Sequence, residues 1–155
     1  MAFTHIEIQL ETGNVKIKLR PDLAPNHVQR VTELASEGFY DGVVFHRVIP
    51  NFMAQTGDPT GTGTGSSDKP NLNQEFSDEN HTRGSVSMAR SADPDSANSQ
   101  FFICFGDCSW LNSQYTIWGE VEEGMDLVDQ IKKGEDESGV VIEPDKMIKV
   151  IPTEG

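Results

Sequence analysis

The chain has 155 residues, with 25 acidic against 12 basic side chains and a formal net charge of −13. That length suits one domain with a substantial core and is too short for two comfortable ones, and the acidic surplus repels phosphate backbones and anionic lipid heads. Nucleic acid and membrane are therefore not expected as direct partners, and the opening MAFTHIEIQL, with neither a basic start nor a continuous apolar segment, makes the cytoplasm the expected compartment.

In chain order, Ile6, Ile8 and Leu10 alternate with polar residues, Thr12, Gly13 and Asn14 supply turn chemistry, and Val15, Ile17 and Leu19 resume the alternation. The pattern predicts a hairpin. Pro25 suits the first turn of a helix, where Val28, Val31, Leu34 and Ala35 form one apolar stripe to about Glu37, before Gly38. Strand-like runs follow at 43–49, 52–55, 85–89, 100–104 and 115–121. A second helix is predicted over 125–133, with Asp126 in its first turn, Lys132 and Lys133 in its last, and Gly134 as its stop. Apolar runs at 140–142 and 147–151 close the chain. Many short strands, two helices and no strand–helix–strand alternation predict an antiparallel sandwich or barrel whose ends the helices cover. Loops 59–74 and 90–99 are long enough to be functional.

Arg47 stands within VVFHRVIPNFMAQTGD. Strand alternation places Val43, Phe45 and Ile49 on its face and Val44 and Val48 with His46 on the other, so both faces are mostly apolar. A cation in such a stretch either meets a carboxylate or points its donors at a ligand. Gly61, Gly63 and Gly65 read as a flexible or tightly turned loop, because no GK[ST] follows them. His46 reads as a core or rim histidine. Cys104 and Cys108 are expected as reduced thiols, a disulfide staying open, and no ligand spacing points to a metal. Glu135, Asp136 and Glu137 read as solvated surface.

The segments FHRVIPNFMAQTGD, SVSMA, SQFFIC and WLNSQYTIWGEV, in that order and spacing, resemble the cyclophilins, the peptidyl-prolyl cis-trans isomerases, across nearly the whole chain. The resemblance implies a mainly β fold over residues 1–155, a closed eight-stranded antiparallel barrel capped by two α-helices, with the active groove on its outer surface. It implies isomerisation of X–Pro bonds in support of protein folding, with no cofactor or metal. The implied partners are proline-containing peptides and unfolded or flexible protein segments, with cyclosporin as an inhibitor, and the implied state is a monomer. By matched position, Arg47 is similar to the catalytic arginine. Phe52, Met53, Phe102 and Leu111 are similar to the proline pocket, and Gln55 and Gln100 to groups that fix the peptide. Gly63, Ala89, Arg90 and Ser91 fall along the neighbouring groove, and Trp110 matches the tryptophan associated with cyclosporin. Tyr115 stands where the best-known members carry His, a bacterial-type variant, while Arg90 and Ser91 replace Asn and Ala and make that subsite more cationic.

Two rival functions are a peptide-binding module that uses the same groove without turnover, and a hydrolase or nuclease built on His46 and Asp58. The first has no need of the full set Arg47, Phe52, Met53, Gln55 and Phe102. The second lacks a recognisable partner for either residue.

Overall fold

The predicted N-terminal alternation becomes a hairpin in the computed structural model, which describes residues 3–154. Strands β1 (His5–Leu10) and β2 (Gly13–Leu19) pair from His5↔Lys18 to Leu10↔Gly13. Their inward side chains Ile6, Ile8, Val15 and Ile17 are buried. Helix α1 (Pro25–Ser36) follows and buries the predicted stripe of Val28, Val31, Leu34 and Ala35. Pro25 needs no partner for its missing N–H, but Ala24 offers no side-chain cap. The Glu75 carboxylate fills that gap from a distant loop, accepting the N–H groups of Asn26 at 3.2 Å and His27 at 2.8 Å.

Six further strands complete a single antiparallel sheet: β3 (Arg47–Ile49), β4 (Met53–Thr56), β5 (Ser85–Met88), β6 (Phe101–Cys104), β7 (Ile117–Glu123) and β8 (Lys149–Thr153). Their order is β3-β4-β6-β5-β7-β2-β1-β8. Register shifts in the β2/β7 and β5/β7 ladders mark bulges of the kind that curl a sheet. The eight strands and two helices are those expected, but the barrel is less closed. The end strands β3 and β8 are not neighbours in the ladder, and the isolated bridges Val44↔Lys146 and Arg47↔Val140 span the gap. Glu143 at φ +56 and Pro144, which has no N–H, keep the apolar run 140–142 from joining a regular strand.

The stretch 43–49 differs from expectation in a way that matters. Only Arg47–Ile49 is ladder, and the irregular chain before it breaks the alternation. Val43 and Phe45 are buried, whereas Arg47, expected on their face, is exposed. The second helix is also shorter: α2 covers Met125–Asp129, with Lys132 and Lys133 beyond it. The Lys132 N–H donates to the Asp145 carboxylate at 2.8 Å instead of continuing the helix ladder.

The core packs inside the curl. Phe101 meets both Tyr40 and Trp118 edge-on, with ring centroids 5.4 Å apart, and the Tyr40 hydroxyl donates to the Ser99 carbonyl at 2.9 Å. Each such buried side chain contributes about 1.5–3 kcal/mol. Among the described residues no helix is long and apolar enough to cross a membrane.

Candidate active site

Sheet register carries the site. Arg47 pairs with Gln55, Gln55 with Phe102 and Phe102 with Ser87. Directly opposed residues project to the same side, so Arg47, Gln55 and Phe102 form a row on the outer face. The adjacent row Val48, Ala54, Ile103 and Val86 points inward and is almost wholly buried. Ile49, Met53 and Cys104 make the next outward row.

A small cleft of about 120 Å³ opens over these rows, lined by Arg47, Phe52, Met53, Gln55, Ala89, Arg90, Phe102, Leu111 and Tyr115. Met53, Phe102 and Leu111 belong to a separate apolar cluster with Cys104 and Cys108, against which Phe52, Ala89 and Tyr115 pack. Tyr115 stands edge-on to Phe102 at 5.8 Å, and the Arg90 guanidinium lies 4.6 Å over the Tyr115 ring. The 3-10 turn Ser109–Leu111 delivers Leu111 to the wall, its N–H bonded to the Cys108 carbonyl at 2.9 Å. Beneath Phe102 the buried His81 ring stacks at 6.4 Å and exchanges hydrogen bonds with Ser87 and Asn112. Burial pushes the His81 pKa down, so the ring is a neutral support. Both cysteines are free and buried, and burial raises both thiols, which removes them as ready nucleophiles.

Arg47 has no carboxylate in ion-pair range among the described residues. Its Nε donates to the Ser138 carbonyl at 3.1 Å and its Nη1 to Gln55 Oε1 at 3.3 Å. The chain of bonds continues. Gln55 Nε2 donates to Gln100 Oε1 at 2.9 Å, and Gln100 Nε2 donates to the carbonyls of Gly63 at 3.1 Å and Gly65 at 2.9 Å.

Those glycines belong to a second, polar cleft of about 340 Å³, which shares Gln55, Ala89 and Arg90 with the first and adds Gly63, Ser91 and Gln100. The loop beneath it winds around Asp58, whose carboxylate accepts from Thr60 N–H at 2.8 Å, Thr62 N–H at 3.1 Å and Gly63 N–H at 2.5 Å. Burial alone would raise the Asp58 pKa, but the Thr60 hydroxyl and these backbone donors outweigh it and bring it to about 2. A side chain on Gly65 would come within 2.2 Å of Asp58 Oδ1, which explains the glycine at that position. The carboxylate is a structural hub, its two oxygens already accepting four hydrogen bonds from Thr60, Thr62 and Gly63, which leaves it no acceptor position to spare for hydrolysis. His46 is buried, with its pKa lowered by burial, as a core or rim histidine requires.

Thus the structure brings twelve of the thirteen sequence-predicted site residues into two joined clefts. Trp110 stands on the rim, 57% exposed, with its ring 5.4 Å from Phe52. Sequence reasoning assigned no role in the site to Ser138, His81, Asn112 or Ser87. Ser87 and Asn112 lie inside the segments SVSMA and WLNSQYTIWGEV, but nothing there marks them as partners of His81, and long-range contacts bring the four here.

Residues 5–151 match the family model described as cyclophilin type peptidyl-prolyl cis-trans isomerase/CLD. The chain belongs to the cyclophilin-type peptidyl-prolyl cis-trans isomerases. A Brucella suis protein named "Probable peptidyl-prolyl cis-trans isomerase" is 54% identical over 154 residues, spanning 92% of this chain and 79% of that protein. A Schizosaccharomyces pombe peptidyl-prolyl cis-trans isomerase is 40% identical, over 95% of this chain and 97% of its own. The crystal structure of a Cryptosporidium parvum cyclophilin, obtained in the presence of the dipeptide Ala-Pro, superposes with a TM-score of 0.88. It is 26% identical and covers 97% of this chain and 99% of that one. This cyclophilin is accordingly an enzyme of cis–trans isomerisation at proline, and its curled eight-stranded sheet is the family's fold.

Proposed function

We propose that the apolar cleft seats the proline ring of an X–Pro peptide and that Arg47 stabilises the twisted imide nitrogen. Rotation about an amide must break resonance, at a barrier of about 18–20 kcal/mol, and X–Pro is the bond whose two isomers lie close enough in energy to interconvert usefully. No bond is cleaved. Catalysis requires a held ring, a carbonyl side free to swing, and a donor that is strongest toward the nitrogen once its lone pair has left conjugation.

One observation carries this: the row Arg47, Gln55, Phe102 sets a guanidinium, with no carboxylate partner among the described residues, beside a nearly dry aromatic wall. Two of its nitrogens are engaged by Ser138 and Gln55, and Nη2 has no partner among the described residues. An apolar surround strengthens the hydrogen bond that Nη2 offers. Gln55 and Gln100 hold the peptide backbone beside it, while Gly63, Ala89, Arg90 and Ser91 receive the residues that flank the proline. The Ala-Pro dipeptide used with the Cryptosporidium parvum protein supports proline-containing peptides and flexible protein segments as the substrates. The exposed Trp110 against Phe52 supports cyclosporin as an inhibitor of the same cleft, and calorimetry at micromolar drug tests this: heat that a proline peptide abolishes is the expected result.

The deciding experiment is a protease-coupled isomerisation assay of Arg47→Ala. Removing one preorganised donor costs about 10²–10³ in rate, so kcat/KM falls by that order while the urea midpoint stays near that of the parent. Near-parent turnover in the folded variant means that another group carries the reaction.

A further inference from the structure

We infer that the turn at 134–139 is a positioning device for Arg47, built so that the Ser138 carbonyl fixes Nε while Gln55 fixes Nη1. The inference rests on the role proposed above for that arginine. An exposed arginine is otherwise among the most mobile of side chains, and a donor counts in a transition state only when it is already in place.

The turn is clipped to β3 on both strands of its base. Gly134 N–H donates to the Val48 carbonyl at 2.9 Å, and Val48 N–H donates to the Gly139 carbonyl at 2.7 Å. Inside it, Gly139 N–H donates to the Asp136 carbonyl at 3.1 Å, and the Asp136 carboxylate accepts Ser138 N–H at 2.9 Å together with the Ser138 hydroxyl. Those bonds to Ser138 hold the Asp136 carboxyl below its usual range. Asp136 therefore stiffens the peptide whose oxygen meets Arg47, a task distinct from the plain surface charge its acidic neighbours suggest.

The two glycines leave no slack. Gly139 sits at φ +78, and a Cβ there would lie 2.6 Å from Ile49 Cγ1 and 3.1 Å from Arg47 Cγ. A Cβ on Gly134 would lie 2.4 Å from the Gly139 carbonyl carbon. The Gly139 backbone thus runs too close to the stem of Arg47 to carry a side chain, while the next residue back holds its Nε. Arg47 and Val140 also form an isolated bridge, which ties the backbone of the arginine to the residue that follows the turn.

The test compares Asp136→Ala, Asp136→Asn and Gly139→Ala in the full chain, reading Arg47 Nε–H exchange by NMR alongside kcat and KM. Asp136→Ala is expected to speed Nε–H exchange and lower kcat severalfold with KM within about twofold. Asp136→Asn keeps both, because its amide oxygen still accepts Ser138 N–H. Gly139→Ala, which displaces the arginine, lowers kcat by up to about 10²-fold, the order that a 1 Å misplacement produces. If Gly139→Ala does not fold, the exposed Asp136 pair decides alone. Unchanged Nε–H exchange and kcat in folded Asp136→Ala, or a loss confined to KM, overturns the inference. Nε–H exchange needs no turnover, so a failure of the role assigned to Arg47 shows separately, in Arg47→Ala.

Discussion

The apolar cleft of about 120 Å³ takes its principal walls from strand positions fixed by ladder register, whereas the adjoining cleft of about 340 Å³ takes most of its lining from loops wound around Asp58 and Asn98. In the first, Met53 and Phe102 are locked by pairing and by burial against Cys104, Cys108 and His81. In the second, Gly63 and Gly65 are held by carboxylate and amide hydrogen bonds, and Ser67 and Lys69 are tied to Asn98 in the same way. On the proposed reading, sheet packing gives a stiff seat for one ring, and hydrogen-bonded loops give a wider surface that tolerates different neighbours. Changes to the buried walls of the first cleft, Met53 and Phe102, should therefore cost stability and substrate binding together, and changes in the second should mainly alter selectivity.

The sharpest way to break that contrast is Phe102→Ala. Truncating a buried phenylalanine costs about 3–5 kcal/mol, and losing its face from the seat raises KM by about 10–10², the equivalent of about 1.5–3 kcal/mol. Urea unfolding and steady-state kinetics measure both, and a variant with parent-like stability would show that the cluster is not the rigid element.

Lowering the pH is the next largest perturbation. Burial holds His27, His46 and His81 below the usual histidine value, in His27 despite the Glu75 carboxylate beside it. The unfolded chain then binds more protons than the native one as the pH drops below about 6.5, so the stabilisation present above that value is lost through this window. Asp58, at about 2 in the fold, adds a second loss below about 3.9. The urea midpoint should be flat from pH 8 to 7 and fall from about 6.5 downward. A His81→Gln comparison separates this from the general relief of acidic repulsion, and a midpoint that climbs between pH 6.5 and 5 in both proteins contradicts the assignment.

The smallest effect belongs to Arg90, on the boundary between the clefts. Its guanidinium donates to the Gln114 and Ser91 carbonyls at 2.9 Å and lies over Tyr115, so little of it is left to meet substrate. An exposed charge pair contributes about 0.2–1 kcal/mol, so Arg90→Ala should lower turnover of peptides with an acidic residue before proline by no more than about fivefold. Peptides with a neutral residue there should be indifferent to the change. Equal losses on both would assign Arg90 to the seat and not to selectivity.

What the sequence disclosed follows the same division. Phe52, Met53, Gln55 and Phe102 were legible because they sit in or beside short strands, within motifs whose spacing survives folding. The exposure of Arg47 was not, since alternation assumes a regular strand and the chain before Arg47 is irregular. The openness of the barrel was hidden for a similar reason: an apolar run at 140–142 looks like a strand until Glu143 and Pro144 turn it away. His81 and Ser138 lie outside the matched segments, and Asn112, although beside Leu111, serves the site only through His81; these long-range contacts are not encoded in any local pattern. Asp136 was legible as a charge but not as the brace of a turn.

The central claim is that a planar fork of donors, held in place beside the proline seat, does the work, and not positive charge alone. Turnover of Arg47→Lys tests it most directly, since an ammonium keeps the charge but cannot present the fork or satisfy Ser138 and Gln55 together. The account predicts a kcat/KM within about tenfold of Arg47→Ala, with the fold intact, the parent lying about 10²–10³ higher. A lysine variant that isomerises an X–Pro peptide at close to the parent rate would contradict it.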